Sequence, residues 1–425
     1  MPIGGCQSFS IFLNKNAVIA FLSVFCYNMG KYTERVDLMA SKPLHILVVA
    51  TWLPGRYDKL MGIYHKHFCE ALAQAGVKVG MLHIDRQPIS QALRFPFMKK
   101  RYTVEEKGYR THARRMLNRH RLSPHWQMKA YTRCLYRLYK AYEKKNGKPD
   151  VLHAQVLIPA GYATAMLGKR IGVPVLITEH ASYFERFFKD WSAPYTKKTV
   201  ESGAQITCVG NYMVELFAKL GVQAQVLPNT VDCSVFSGPK AEKTDSTIRF
   251  ATVCALREGK GIEVAVRALS KLLKEERLTD FTYTVIGNGD QSALYQAAAE
   301  QAGIADRTRF VGQKNHQQIA EILAHTDILL MPSDKETFAI PVIEAAAAGV
   351  PVVCTRCGGP EGFLTPDSAE FCGIQDADGM ADAIMRMAVR LPQIDEQKVR
   401  QVAAAFDRKA VAEKAIGYYK ALLKN

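Results

Sequence analysis

Short apolar runs of strand length alternate with helical stretches twice along this chain of 425 residues, and a polar, turn-rich segment divides the two rounds. Leu44–Ala50 is apolar throughout except at His45, the pattern of a strand buried on both faces. Gly62–Ala75 reads as a helix closed by Gly76, a residue favoured just past a helix C-terminus. Further strands are expected at Val77–Ile84, Val151–Ala154, Pro174–Thr178, Gln205–Val209 and Ala224–Leu227, with helices such as Ala160–Ile171 and Tyr212–Leu220 between them. Cys233–Ser246 is read as the linker. The second round sets strands at Ile248–Leu256, Phe281–Ile286, Thr308–Val311, Asp327–Met331 and Pro351–Thr355 against helices at Gly261–Glu275, Gln291–Ala302, Gln317–His325 and Pro341–Ala348. The expected fold class is therefore α/β, with two Rossmann-like, doubly wound parallel-sheet domains facing a central cleft. Ligands in such sheets bind at the carboxyl ends of the strands, near a topological switch point.

Ten scattered cysteines, several inside apolar runs, suit a reducing compartment better than a disulfide framework. Cys354 and Cys357 have CxxC spacing, but no second pair or histidine set follows at zinc-ligand spacing, so the pair reads as structural. Residues 1–40 look foreign to the remainder. Ala17–Tyr27 is an apolar run too short to span a bilayer. Met39 opens directly onto the first strand pattern, so the expectation is that translation starts there; a weak N-terminal membrane anchor is the alternative. The formal net charge is +16, and most of the excess lies between Arg86 and Lys148, where eighteen Lys/Arg face three acids among nine aromatics that include Phe95, Phe97 and Trp126. Such a mixture fits an anionic membrane surface, a solvated helical face, or nucleic acid.

The most specific motif is Glu336-Thr-Phe-Ala-Ile-Pro-Val-Ile-Glu344, which follows a strand and the turn Pro332-Ser333. Pro341 suits the first turn of a helix, where its missing N–H costs nothing, and Ala345–Ala348 continues as a strong helix former. Glu336 is then placed in the loop before the helix and Glu344 about one turn inside it. Backbone N–H groups at that helix start favour a phosphate, and the two carboxylates suit sugar hydroxyls on either side of a diphosphate. Partnership with the helix dipole alone is the simpler reading of the same two acids. Asp376-Ala-Asp378 matches a DxD metal motif in letters, but Asp378 reads as a helix N-cap, so no metal is expected.

Together with Gly349-Val-Pro-Val-Val, Gly358-Gly-Pro-Glu361, Lys260-Gly261, Val285-Ile-Gly-Asn-Gly289, Phe310-Val-Gly312, Asp150-Val-Leu-His153, Thr178-Glu-His180 and Pro228-Asn-Thr-Val-Asp232, that motif resembles the retaining glycosyltransferases of family 4, which have the GT-B fold. The resemblance runs from about Leu44 to the end. It implies an acceptor-side domain over 41–235, a nucleotide-sugar donor domain over 247–408, and a terminal helix at 409–425 that returns to the first domain. It also implies that Glu344 binds the donor ribose, that Glu336 binds the transferred sugar with the backbone at Phe338, Ala339 and Ile340, and that Lys260 neutralises the diphosphate. His180 would stand beside the sugar, Gly62 would admit the donor phosphates, and Gly287 with Gly289 would shape the wall near the base. Where the family usually has an arginine before Lys-Gly, this chain has Ala255-Leu256, with Arg257 two residues on; Met61 and Ala339 stand where glycines are common.

These expectations amount to a cytoplasmic, metal-independent hexosyltransferase that needs no cofactor. It would work at the inner face of a membrane on a lipid-linked or polysaccharide precursor, using a nucleotide-diphosphate sugar. Three rivals remain at this point: a nucleotide-sugar epimerase of similar fold, a sugar-binding module without activity, and a nucleic-acid-binding protein, which leaves Glu336 and Glu344 unexplained.

Overall fold

The computed structural model describes residues 43–55, 61–88, 99–118 and 123–424. The 1–40 extension with its Met39 start, and Phe95 and Phe97 of the basic stretch, lie outside these. The first sheet comprises β1 (His45–Ala50), β2 (Lys78–Pro88), β3 (Arg101–Glu105), β4 (Arg110–Asn118), β5 (Val151–Gln155), β6 (Val175–Glu179), β7 (Gln205–Cys208) and β8 (Gln225–Val226). Their order is β3-β4-β2-β1-β5-β6-β7-β8, parallel everywhere except at the β3–β4 edge. The second sheet comprises β9 (Ile248–Val253), β10 (Phe281–Ile286), β11 (Thr308–Phe310), β12 (Ile328–Met331), β13 (Val352–Thr355) and β14 (Ala369–Cys372). It is parallel throughout, in the order β11-β10-β9-β12-β13-β14. Winding outward from β9 in one direction and then the other opens a crevice at the carboxyl ends of β9 and β12. In the first sheet the same reversal falls between β1 and β5.

Both sheets start alike. The helix after the first strand, Ile63–Gln74 in one half and Ile262–Lys274 in the other, is entered through a glycine in the left-handed region, Gly62 (φ 71°) and Gly261 (φ 65°). A Cβ on Gly62 would strike the Trp52 carbonyl, and one on Gly261 the Pro332 carbonyl. Only a residue without a side chain takes this φ freely and allows the approach.

The basic stretch resolves into structure that the apolar pattern did not announce. The helix Pro124–Asn146 buries Met128, Tyr131, Leu135, Leu138, Tyr139 and Tyr142 against β2 and β4. Its Lys129, Arg133, Arg137, Lys140 and Lys144 are exposed, three or four residues apart, and so form one stripe. The aromatics of this helix are therefore mostly core, and the cations are its outer face. The expected linker is also partly structured: Cys233–Phe236 forms a short helix, packed on the helices His316–Ala324 and Ile340–Ala347.

The helix Arg408–Leu422 lies on the helix Ile63–Gln74 of the first half. Its Tyr419 is fully buried with the hydroxyl 2.7 Å from His153 Nδ1, and its Tyr418 hydroxyl donates to the Val226 carbonyl at 3.1 Å. Arg408 stands between Glu70 (3.6 Å) and Asp232 (3.1 Å).

Gly303, also left-handed (φ 76°), has open space where a Cβ would go. Gly303→Ala is expected to lose only the backbone term, on the order of 1 kcal/mol, whereas Gly261→Ala loses that plus the clash with Pro332. Chemical denaturation of the two variants should rank Gly261→Ala clearly lower; equal losses would mean that the close approach carries no energy.

Candidate active site

Lys260 sits in the turn after β9, between Gly259 and Gly261, both at positive φ. Glu336 sits in the loop after β12. The switch-point crevice brings them together, with Lys260 Nζ 2.6 Å from Glu336 Oε1 and both side chains largely buried. Desolvation pulls the Lys260 pKa down, but the charge and hydrogen bond of Glu336 outweigh it, and the net shift is upward. Lys260 is thus held in its protonated form by this contact. Sequence reasoning assigned these side chains to opposite ends of a ligand; in the free protein they hold each other.

The Glu336 loop is stitched to the loop after β13. Glu336 N donates to the Cys357 carbonyl and Gly359 N donates to the Glu336 carbonyl, each at 2.9 Å, while Gly358 N donates to Glu361 Oε2 at 2.9 Å. Phe338 is buried against Phe363 and Phe406. Ala339 caps the next helix in the left-handed region (φ 66°), a conformation that costs a non-glycine residue roughly 1–3 kcal/mol. The helix then runs Ile340–Ala347 with Pro341 in its first turn, as the sequence predicts, and Glu344 one turn in.

Glu344 is 4% exposed, and burial pushes its carboxyl pKa up to about 7. Its Oε1 lies 3.5 Å from Nε2 of His316, whose pKa is lowered by burial and by Arg408, with Asp232 opposing. A raised carboxyl beside a depressed imidazole makes this contact less ionic than an ordinary carboxylate–imidazolium pair. Sequence reasoning missed His316, which opens the helix His316–Ala324 behind an Asn315/Gln318 capping box.

On the first lobe, His180 follows β6. Its Nε2 lies 2.7 Å from Gln155 Oε1, so Nε2 carries the proton, because an amide oxygen only accepts. The amide nitrogen of Gln155 is 3.3 Å from His153 Nε2, which continues the chain to Tyr419. The rings of Tyr64 and His65 flank His180, with centroids 4.9 Å away. Burial drives the His180 pKa down to about 3, with the Asn229 side chain partly opposing, so the imidazole is neutral at pH 7. The preceding Glu179 is fully buried, and its carboxylate accepts the backbone N–H groups of Leu157, His180 and Ala181 at 2.7–2.8 Å, which pins the turn that carries His180. Gln155, Glu179 and Glu361 lie within or next to the quoted motifs, but spacing alone gave no hint of what they touch.

The lobes meet at this point. Thr337 Oγ1, beside Glu336, donates to the His180 carbonyl at 3.2 Å, and Lys335 pairs with Glu185 at 3.2 Å. Gly287 (φ 140°) and Gly289 press the loop after β10 against the carbonyls of Cys254 and Leu256. Arg257 lies on the exposed turn, its carbonyl accepting from the Tyr295 hydroxyl at 2.6 Å, and Lys260 is a cation against Glu336. One expectation is corrected. The N-cap of the helix Ala377–Arg390 is Asp376, whose side chain accepts from Gly379 N at 2.8 Å. Asp378 instead lies in the first turn, 2.6 Å from Lys271.

Two doubly wound, mostly parallel sheets joined as two lobes have the architecture of the GT-B class of glycosyltransferase. Family models match both halves: "Glycosyltransferase Family 4" over residues 61–235 and "Glycosyl transferases group 1" over residues 238–390. The chain belongs to this family and is an enzyme that transfers sugars, which sets aside the epimerase and nucleic-acid readings. The glycogen synthase of Mycobacterium tuberculosis strain H37Rv is 28% identical over 300 residues, which are 67% of this chain and 71% of that protein. Sucrose-phosphate synthase from Thermosynechococcus elongatus superposes with a TM-score of 0.70 at 20% identity, covering 89% of this chain and 99% of its own. Anabaena HepE, solved with UDP and glucose, gives 0.64 at 14% identity, over 89% and 99%. At these identities the two structures speak for the fold alone.

The raised Glu344 pKa makes a stability prediction. Between about pH 4.5 and 7 the folded carboxyl holds a proton that the unfolded chain has released, so its contribution to stability is full below the unfolded pKa and is lost as pH rises through about 7. Glu344→Gln is expected to be relatively more stable than the parent at pH 8 than at pH 5, by on the order of 1–3 kcal/mol. Urea titrations at the two pH values test this; parallel behaviour of both proteins would place the Glu344 pKa near its ordinary value.

Proposed function

We propose that the enzyme is a retaining, metal-independent transferase, which takes a hexose from a nucleoside-diphosphate sugar held in the crevice between β9 and β12. The observation that carries this reading is the Lys260–Glu336 contact at the carboxyl ends of those strands, one turn ahead of the buried Glu344. Breaking the sugar–phosphate bond builds negative charge on the diphosphate and positive charge at the anomeric carbon. Lys260, released from Glu336 by the incoming diphosphate, meets the first, together with N–H groups at the start of the helix Ile340–Ala347. Fixed donors of this kind are each worth roughly 10²–10³ in rate, which is how a site works without a metal ion. Glu336, freed in turn, accepts from hydroxyls of the sugar, and Glu344 accepts from the ribose. Neutral His180 forms the sugar-side wall on the acceptor lobe, where it orients the sugar and donates no charge. The acceptor enters from the face the leaving group vacates, which retains the anomeric configuration. The UDP and glucose in the HepE crystal support a nucleotide-sugar donor.

We place the enzyme on the cytoplasmic side of a membrane, with a lipid-linked or polysaccharide precursor as acceptor. The exposed stripe Lys129–Arg133–Arg137–Lys140–Lys144 supports contact with an anionic surface. Among the described residues no helix is long and apolar enough to cross a membrane.

Lys260→Ala and Glu336→Ala are each expected to lower kcat at least about tenfold while leaving the folded spectrum unchanged. A panel of UDP-, GDP- and ADP-sugars identifies the donor, and proton NMR of fresh product reads its anomeric configuration. Wild-type turnover in either variant, or an inverted product, would overturn the corresponding assignment. Charge reversal at Arg133 and Arg137 is expected to weaken sedimentation with phosphatidylglycerol vesicles at least about tenfold at low salt. Undiminished binding would remove the stripe from the reading.

A further inference from the structure

A cavity of about 140 Å³ opens on the first lobe at the same pole as His180. Arg86 and Met116, register partners near the carboxyl ends of β2 and β4, form one wall. Met128 and Tyr131 of the helix Pro124–Asn146 form the floor, and Pro159 after β5 and Trp191 after β6 close the far side.

Three features of this groove point to an occupant. Arg86 is exposed and has no hydrogen bond or ion pair with any described residue; the neighbouring Asp85 is taken up by Gln87, Tyr102 and Arg115. Tyr131, in the same lining, is 1% exposed, yet its hydroxyl has no hydrogen-bond partner among the described residues. Buried hydroxyls are almost always paired, so an orphan in the lining that also holds Arg86, unpaired among the described residues, marks the place of a missing acceptor atom. Trp191 is 42% exposed and is held edge-on by the rings of His125 and Tyr195, so a large apolar face is fixed at the rim with nothing covering it among the described residues.

We propose that this groove binds the sugar acceptor, and that the acceptor carries a phosphate on an apolar body. The phosphate rests on the Arg86 guanidinium and accepts from the Tyr131 hydroxyl, while the apolar portion lies along Met116, Met128 and Trp191. A purely polar saccharide satisfies neither the apolar floor nor the lone cation. Inorganic phosphate leaves the floor and Trp191 bare. The inference rests on the transferase reading, because the groove shares the pole of the lobe on which His180 stands, and it specifies the chemistry of the second substrate. It is separate from the cationic stripe, which belongs to the outward face of the same helix.

Isothermal titration of the full chain with octyl phosphate below its micellar concentration tests the proposal, with octyl glucoside and inorganic phosphate as the comparison ligands. Octyl phosphate is expected to bind saturably and at least about tenfold more tightly than either. Arg86→Gln should erase its advantage over octyl glucoside, and Arg86→Lys should restore part of it. Tyr131→Phe should weaken octyl phosphate several-fold, and Trp191→Ser should weaken both alkyl ligands. Neutralising Arg133 and Arg137 should change none of these values. The proposal is overturned if octyl phosphate shows no saturable binding, if inorganic phosphate binds equally well, or if Arg86→Gln keeps the preference. Nucleotide-sugar binding by the unmodified protein is measured in parallel. Its absence would sink the transferase reading itself, whereas its presence with an indifferent groove would sink only this inference.

Discussion

One contact organises the centre of this molecule: the ammonium of Lys260 against the carboxylate of Glu336 where the strand order of the second sheet reverses. Each group would be costly to leave alone in so enclosed a place, and each offsets the other. The contact joins the turn after β9 to the loop after β12. That loop is hydrogen-bonded to the loop after β13 and, through Thr337, to the carbonyl of His180 on the other lobe. A ligand that separates the pair must replace what each partner loses. On the proposed reading, the diphosphate of an activated sugar replaces Glu336 at Lys260 and the sugar hydroxyls replace Lys260 at Glu336.

Around that pair burial shifts several titratable side chains toward their neutral forms. Burial lifts the carboxyls of Glu344 and Glu179 to about 7 and drives His180 and His153 down to about 3. The large positive charge of the chain is spent elsewhere, much of it on the outer face of the helix Pro124–Asn146. Core neutrality and surface charge are consequences of the same desolvation cost, which admits a charge to the interior only with a partner.

The legible parts of the sequence were those whose signal is local. β1 and β12 are unmistakable as apolar runs, and Pro341 announced its helix start; Gly62 and Gly261, expected as the first helical residues, instead cap their helices in the left-handed region. The helix Pro124–Asn146 was not legible, because its buried face is built largely of Tyr, with Leu and Met, among cations, and such a mixture reads equally well as a binding surface. The cap at Asp376 was misassigned to Asp378 because both are acids with cap-like neighbours. Only the direction of a side chain toward Gly379 N distinguishes them. His316 gave no signal, since nothing near it in the chain relates it to Glu344.

By itself the sequence determined two rounds of strand and helix, their boundary, and the charged residue types gathered at the loops after strands, because periodicity and turn chemistry are properties of neighbours along the backbone. Only the tertiary structure decided who meets whom. Lys260 and Glu336 are 76 residues apart, Thr337 and His180 157, and Tyr419 and His153 266. Those meetings follow from the order in which strands enter a sheet and from how the two lobes close on each other. Both depend on packing many distant side chains at once, and no stretch of chain records that in its own pattern.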